Sequence, residues 1–115
     1  MSERDFLLFG GCFESNVQAQ GYFNVDWSLD EPTCAFFEEL GVFVDEDFCE
    51  LHDSSITVEK EIELTYPKFV LKAGVLAEFT HYFLLGRYAV KEFNRLKDTI
   101  TAAQDFRHCQ YIWVG

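Results

Sequence analysis

Carboxylates are the side chains whose spacing in this sequence most clearly suggests chemistry. Glu59, Glu61 and Glu63 occupy alternate positions of the segment 55–66, and apolar residues fill most of the other register. This period of two predicts a β-strand with one apolar and one acidic face. On such a strand the three carboxylates project from one side at intervals of about 6.6 Å. Their mutual repulsion favours a cationic partner.

Further acids give the chain a strongly uneven charge. Residues 1–66 carry sixteen acidic and two basic side chains, a net charge of −14. Residues 67–115 carry four acidic and seven basic ones, a net of +3, so the whole chain carries −11. This field steers a basic protein partner and excludes unaided binding of nucleic acid or anionic membrane. Besides the three glutamates, the carboxylates that we assign to the partner-binding face are Asp45, Glu46, Asp47, Glu50 and Asp53.

Aromatic residues are interleaved with the acids. They make up 17% of the chain, and hydrophobic residues make up 49%, a composition that excludes a disordered acidic segment. An aromatic side chain beside carboxylates can anchor an interface, but it can equally belong to the core. The aromatic residues of the acidic half that we consider for either role are Tyr22, Phe36, Phe37, Phe43 and Phe48.

Catalytic chemistry is not expected, and we predict no catalytic residue and no cofactor. An exposed carboxylate ladder lacks the burial that separates the acidities of an acid–base pair. The pair Gly10-Gly11 is too short for a phosphate-binding loop, and no Lys-Ser/Thr follows it. His81 lies in an apolar register, which predicts a hydrogen-bonded core histidine rather than a base.

The cysteines stand at wide and irregular spacing, at positions 12, 34, 49 and 109. We expect them to be reduced and to pack in the core. The alternative is a zinc site that joins Cys49-x-x-His52 to His108-Cys109, although adjacent ligands chelate one ion poorly. The first five residues carry charges of both signs and no apolar segment follows that could act as a signal peptide or span a membrane, so we expect a cytoplasmic protein.

The elements that position these residues indicate one α+β domain with a mainly antiparallel sheet, since 115 residues fit a single core. Pro32 lies in the predicted first turn of a short helix, and Gly41 follows its end in the position of a left-handed cap. A stripe at Phe93, Leu96 and Ile100 predicts one long amphipathic C-terminal helix. The predicted helices are 33–40 and 87–104; the predicted strands are 5–9, 22–28, 55–66, 69–85 (or a hairpin turning near 72–74) and 109–114.

The hexapeptide Leu51-His52-Asp53-Ser54-Ser55-Ile56 resembles a short His-Asp-small-x-aliphatic element of some bacterial toxin-immunity proteins. The resemblance covers six of the 115 residues. It implies a small acidic cytoplasmic protein that neutralises a cognate toxin by binding it. Together with the charge pattern, it predicts a non-enzymatic inhibitor that docks an acidic face on a basic toxin nuclease. The alternatives are a phage-type nucleic-acid mimic that binds a DNA-binding protein, and a small-ligand-binding α+β domain.

Overall fold

A four-stranded antiparallel sheet forms the centre of the protein, with helices on both of its faces. The computed structural model describes residues 6–65, 79–101 and 106–112. The strands are β1 (Phe6–Gly11), β2 (Cys49–His52), β3 (His81–Gly86) and β4 (Gln110–Ile112), in the order β2-β3-β1-β4. The helices are α1 (Asn16–Phe23), α2 (Ala35–Leu40), α3 (Ser55–Thr65) and α4 (Phe93–Thr101), and 3-10 turns span Glu46–Phe48 and Arg87–Ala89.

The two central strands, β1 and β3, pair along their whole length, from Phe6 opposite Gly86 to Gly11 opposite His81. All six residues of β1 and the first five of β3 are buried. Because side chains alternate between the faces of a strand, burial of consecutive residues requires cover on both faces. The apolar run Phe6–Phe9 therefore lies at the centre of the sheet.

The sheet separates two hydrophobic clusters. Leu7, Phe9, Phe83 and Leu85 face a first cluster that contains residues of α1, α2 and α4. The alternate residues of β1 and β3 face a second, smaller cluster with α3. The predicted single α+β domain with an antiparallel sheet is confirmed. Ile112 lies opposite Leu8 and belongs to the second cluster, whereas Phe93, Leu96 and Ile100 of α4 belong to the first.

Gly10 and Gly11 continue β1 instead of ending it, contrary to the predicted strand 5–9. A Cβ on Gly10 would lie 2.6 Å from Cγ of Phe79, and one on Gly11 would lie 2.6 Å from the carbonyl oxygen of His108. Neither separation is possible for real atoms without a shift. Neighbouring segments therefore pack directly against the backbone of β1, and this close approach explains the glycine pair.

Residues 55–65 of the predicted acidic strand 55–66 form helix α3, and residue 66 falls outside the described residues. Its buried residues Val58 and Ile62 are four positions apart and pack in the second cluster, whereas Ile56 and Leu64 are 65% and 81% exposed. The alternating apolar residues of the sequence therefore do not form one buried face, because two of them are buried and two are exposed to solvent. Ser54 precedes the helix and its Oγ accepts a hydrogen bond from the N–H of Ile56. Burial of one helical face against the sheet therefore overrides the period of two.

The predicted strand 22–28 is also wrong, because Tyr22 and Phe23 end α1. Ser15 caps this helix by accepting a hydrogen bond from the N–H of Gln18 at 3.2 Å. Ala19, Tyr22 and Phe23 are buried at helical spacing. This helical pattern covers only a few residues. The alternation that continues through Val25 and Trp27 is longer and indicates a strand, so the sequence alone does not predict α1.

The remaining predicted elements are correct in part. Helix α2 lies within the predicted range 33–40, but it begins at Ala35 after the cap residue Cys34, so Pro32 precedes the helix instead of lying in its first turn. The prediction of a long C-terminal helix from residue 87 is wrong, because Arg87–Ala89 form a 3-10 turn and α4 begins only at Phe93. Its stripe of Phe93, Leu96 and Ile100 is buried, as the helical spacing predicts. Strand β4 lies inside its predicted range, and β3 extends one residue beyond its range, to Gly86. The parts of these ranges at 69–78 and 113–114 fall outside the described residues, as do 102–104 of the predicted helix.

Truncation of Phe93 should destabilise the protein strongly, whereas truncation of Phe43 should not. Phe93 is 5% exposed in the first cluster and Phe43 is 85% exposed. We expect Phe93→Ala to lower the free energy of unfolding by about 3–5 kcal/mol, and Phe43→Ala to change it by less than about 0.5 kcal/mol. Urea unfolding measures both variants. Equal stability of the two would contradict this packing of α4.

Candidate functional site

Two loops that flank α2 lie side by side and enclose a groove. The first connects α1 to α2, and the second connects α2 to β2. Nε1 of Trp27 in the first loop donates a hydrogen bond to Oε1 of Glu46 in the second, at 3.0 Å. We call the resulting cavity of about 310 Å³ the acidic groove. It is lined by Val25, Trp27, Pro32, Thr33, Phe37, Val42, Phe43, Val44, Asp45, Glu46 and Asp47.

The first loop is held by local hydrogen bonds around Asp26. The Asp26 carboxylate accepts from the N–H of Ser28 at 3.0 Å and from its hydroxyl at 2.6 Å. These bonds, led by that of the hydroxyl, hold the pKa of Asp26 below its usual range. The N–H of Asp26 donates to the carbonyl of Thr33 and closes the base of the loop. Trp27 therefore projects from a constrained turn.

The second loop begins at Gly41, which ends α2 in the predicted left-handed conformation with φ 72°. The chain then buries Val44 and leaves Val42 and Phe43 exposed. Oδ1 of Asp45 accepts from the N–H of Asp47, and the N–H of Asp45 donates to the carbonyl of Ala89. The turn that carries the three consecutive acids is thus fixed to the body of the protein.

The groove combines apolar walls with an acidic margin. Trp27 is 69% exposed and Phe43 is 85% exposed, while Phe37 beneath them is buried. Among the residues that the structure describes, Asp45, Glu46 and Asp47 are the charged residues of the lining, and no lysine or arginine contributes to it. The whole stretch from residue 5 to residue 59 lacks lysine and arginine. This arrangement can bind a group that has both an apolar part and a positive charge.

The eight predicted partner-binding carboxylates do not form one ladder. Asp45, Glu46 and Asp47 meet at the groove; Glu50 follows on the edge strand β2, and Asp53 lies exposed in the turn before α3. The glutamates of α3 lie on the helix that covers the opposite face of the sheet. Glu59 and Glu63 are four residues apart and share one side of α3, but Glu61 lies on another side, since each residue turns the helix by about 100°.

His52 ends β2 and links it to α3. Its Nε2 lies 3.1 Å from Oε1 of Glu50, and its Nδ1 lies 3.1 Å from Oγ1 of Thr57. Thr57 also donates to the carbonyl of Ser54. The hexapeptide that resembles the immunity-protein element therefore leads into a helix, not into an alternating strand, and its histidine takes part in local packing.

His81 is the hydrogen-bonded core histidine that the sequence predicts. It is buried, and its Nε2 lies 2.8 Å from Oδ1 of Asn16 while its Nδ1 lies 2.9 Å from Oγ1 of Thr80. An amide oxygen can only accept, so Nε2 carries the proton and donates to Asn16. The ring nitrogens are occupied by these contacts inside the protein.

The alternative zinc site is not assembled. Cys49 and His52 belong to β2, whereas Cys109 immediately precedes β4, and these strands are the two opposite edges of the sheet. Three strand spacings amount to about 14 Å, which is too far for common ligation. Within the described residues, no group of three or more His, Cys, Asp or Glu side chains can hold a metal ion. No disulfide joins the four cysteines, all of which lie in the described ranges.

Two of the thiols are unsuited to nucleophilic chemistry. Burial raises the pKa of Cys49 and that of Cys109 to about 12. A thiol with such a pKa is protonated at neutral pH, and the thiolate is the nucleophile. Cys109 lies 3.7 Å from the hydroxyl of Tyr22, which donates to Glu39 at 2.6 Å. Burial, followed by the bond to Glu39, raises the pKa of Tyr22.

Positive charge collects at a separate hollow. Arg87, Lys91 and Arg95 line a cavity of about 540 Å³ with Glu92 and the start of α4. Oε2 of Glu92 lies 3.4 Å from Nη1 of Arg95, and both side chains are exposed. The turn Arg87–Ala89 also packs against the acidic turn Glu46–Phe48, through the rings of Phe48 and Tyr88 at 6.0 Å, so the basic hollow adjoins the acidic residues.

The aromatic residues of the groove were only partly anticipated. Phe36 and Phe37 are buried in the first cluster, as are Tyr22 and Phe23, whereas Phe43 and Phe48 are exposed. The alternation at 22–28 predicts that Trp27 belongs to a strand, whereas the structure places it in the loop between α1 and α2. Its neighbours Ser28, Asp30 and Pro32 are typical turn residues, and this composition could have indicated a surface loop that presents a tryptophan.

Comparison with protein-family models, with curated proteins and with solved structures finds no match to this chain. No helix in the part of the chain that the structure describes is long and apolar enough to cross a membrane. The function is therefore argued from the groove and its charges.

Replacement of Cys109 by alanine should make the free energy of unfolding less dependent on pH above pH 9. The pKa of this thiol is raised by burial from 9.0 to about 12. The unfolded chain therefore loses the proton first, and stability falls as the pH rises from 9 toward 12. Between pH 8 and pH 10 the wild type should lose about 1.4 kcal/mol more than Cys109→Ala.

Urea unfolding at the two pH values, with a reductant present, measures this difference. Cys12→Ala removes an exposed thiol and serves as the control. Its free energy of unfolding should fall between the two pH values by as much as that of the wild type. Equal losses in the wild type and in Cys109→Ala would show that the thiol is not protected from ionisation.

Proposed function

We propose that this protein is a non-enzymatic inhibitor of the immunity type, which binds a basic toxin nuclease and occupies its nucleic-acid-binding surface. The observation that carries the proposal is the acidic groove, whose lining combines the carboxylates of Asp45, Glu46 and Asp47 with an exposed tryptophan and an exposed phenylalanine. The loop that carries the tryptophan adds three further acids, Asp26, Asp30 and Glu31.

Electrostatics supports a basic protein as the partner class. Nucleases attract phosphates with lysine and arginine, and carboxylates held on a protein surface can take the place of those phosphates. Two of the three acids at the groove are held by hydrogen bonds: the Asp45 carboxylate accepts from the N–H of Asp47, and the Glu46 carboxylate accepts from Nε1 of Trp27. A fixed charge array loses little conformational entropy when it binds.

The exposed aromatic residues support a protein interface rather than a solvated surface. A monomer gains nothing from exposing both Trp27 and Phe43 at one groove, because burial of an aromatic side chain is favourable by a few kcal/mol. Tryptophan is enriched among the residues that contribute most to binding. A binding partner would cover both rings.

A small-ligand-binding domain is the second candidate. The volume of the groove, about 310 Å³, lies at the lower end of the range of small-molecule sites, and its walls are mostly apolar. The acidic margin restricts such a ligand to cations. The binding experiment below separates the two functions, because only an inhibitor of nucleases should bind a nuclease domain and stop its cleavage of nucleic acid.

Two triple variants that remove the same charge from different surfaces test the docking site. Asp45→Asn/Glu46→Gln/Asp47→Asn acts at the groove, and Glu59→Gln/Glu61→Gln/Glu63→Gln acts on α3. We expect the groove variant to bind a basic nuclease at least about tenfold more weakly at 150 mM salt, equivalent to about 1.4 kcal/mol. The α3 variant should mainly slow association at low salt, where long-range attraction matters.

Titration of a panel of basic nuclease domains across a salt series measures both effects, with lysozyme as a basic protein that is not a nuclease. Inhibition of nucleic-acid cleavage by the wild type is the functional readout. Failure to bind any nuclease of the panel, or equal binding by the groove variant at every salt concentration, would contradict the proposal.

A further inference from the structure

We propose that the acidic groove is an anchor pocket for one arginine side chain of the partner. This inference deepens the proposed function and rests on it, because it names the chemical group that enters the groove. The three features that carry it are the aromatic walls, the acidic margin and the hydrogen bond between Trp27 and Glu46.

The walls require an occupant with an apolar stem. Val42 and Pro32 are exposed at the surface of the cavity, and Phe37 and Val44 are buried at its base. The three methylene groups of an arginine side chain can pack along such a surface while the charged end reaches its partners. A free inorganic cation has no apolar part and would leave these walls in contact with water.

The exposed rings favour a flat cation. Trp27 donates from Nε1, which lies in the plane of the indole, so the bond to Glu46 uses the edge of the ring and not its faces. The side chain remains 69% exposed. A planar guanidinium can stack on an indole face, whereas the ammonium of lysine is compact and more strongly hydrated.

The acids at the margin complete the recognition of arginine. Asp45, Glu46 and Asp47 all line the cavity. A guanidinium presents five N–H donors in a fixed fork, which suits carboxylates that stand close to the ring on which it stacks. Because Glu46 already holds the indole, the aromatic and acidic parts of the pocket are positioned together before binding.

Three peptides of equal length separate arginine recognition from simple charge attraction. They are the acetylated and amidated peptides with four Gly-Arg, four Gly-Lys or four Gly-citrulline repeats, and citrulline keeps the shape of arginine without its charge. We expect the arginine peptide to bind roughly twofold to thirtyfold more tightly than the lysine peptide, the range provided by a guanidinium stacked on an indole. The citrulline peptide should bind weakest.

Single variants assign the preference to the pocket. Trp27→Ala should bring the arginine-to-lysine ratio close to one, whereas Glu46→Gln should weaken both cationic peptides and keep a preference for arginine. The matched controls are Leu64→Ala, which removes an exposed apolar side chain of α3, and Glu63→Gln, which removes one charge there. Both controls should leave the ratio unchanged.

Calorimetry at 50 and 150 mM salt measures the affinities. Trp113→Phe leaves Trp27 as the only tryptophan, so its fluorescence and its indole N–H resonance should change with the arginine peptide and hardly with the lysine peptide. Proper folding of Trp27→Ala is checked by urea unfolding.

The outcomes distinguish this inference from the proposed function. Equal affinities for arginine and lysine, or a ratio that Trp27→Ala does not alter, would overturn the arginine pocket even if the triple groove variant still loses nuclease binding. Binding of the citrulline peptide as tightly as the arginine peptide would overturn it in favour of a neutral ligand. Loss of the proposed function would appear separately, as the absence of nuclease binding.

Discussion

The packing of Phe23, Phe36 and Phe83 is the interaction on which the surface of this protein depends. The rings of Phe23 and Phe83 stack at 4.9 Å with an interplanar angle of 6°, and Phe36 meets both at 5.0 and 5.4 Å. These three residues join α1, α2 and the central strand β3. Since the first groove loop joins α1 to α2 and the second starts at the end of α2, the positions of those helices on the sheet set the distance between the loops.

The acidic residues divide into those that maintain the fold and those that are available to a partner. Glu39 accepts from the hydroxyl of Tyr22 and from the N–H of Arg107, so it connects α1 and α2 to the segment before β4. The Asp26 carboxylate closes its own turn. Glu46 combines both roles, because it is bonded to Trp27 and lies at the margin of the groove. The large negative charge is tolerated because most of these carboxylates are exposed to a screening solvent.

The groove shows why charge and aromatic exposure must be considered together. An acidic surface alone attracts any cation with little discrimination, and an exposed aromatic pair alone attracts any apolar surface. Their combination on two loops fixed by Gly41, Asp45 and the Asp26–Thr33 bridge selects groups that satisfy both. Specificity arises from this requirement for two kinds of contact at one place.

The sequence by itself determined the features that depend on local chemistry or on long apolar runs. Burial of Phe6–Phe9, the helix end at Gly41, the stripe of Phe93, Leu96 and Ile100, and the environment of His81 all follow from residue type and nearest neighbours. The α+β class and the antiparallel sheet were also predictable. The eight acids were recognised as unusual, and three of them lie at the groove.

The tertiary structure alone decided whether the segment 55–65 would form a strand or a helix, and therefore which of its apolar residues would be buried. Val58 and Ile62 suit a helix as well as a strand, and the choice was made by the second face of the sheet, which α3 covers. The same holds for Trp27 and Phe43, which lie sixteen residues apart in the sequence. They line one groove because the packing of Phe23 and Phe36 in the first cluster holds α1 and α2 together. Local patterns specify which residues can be buried, but the contacts between distant segments decide which of them are.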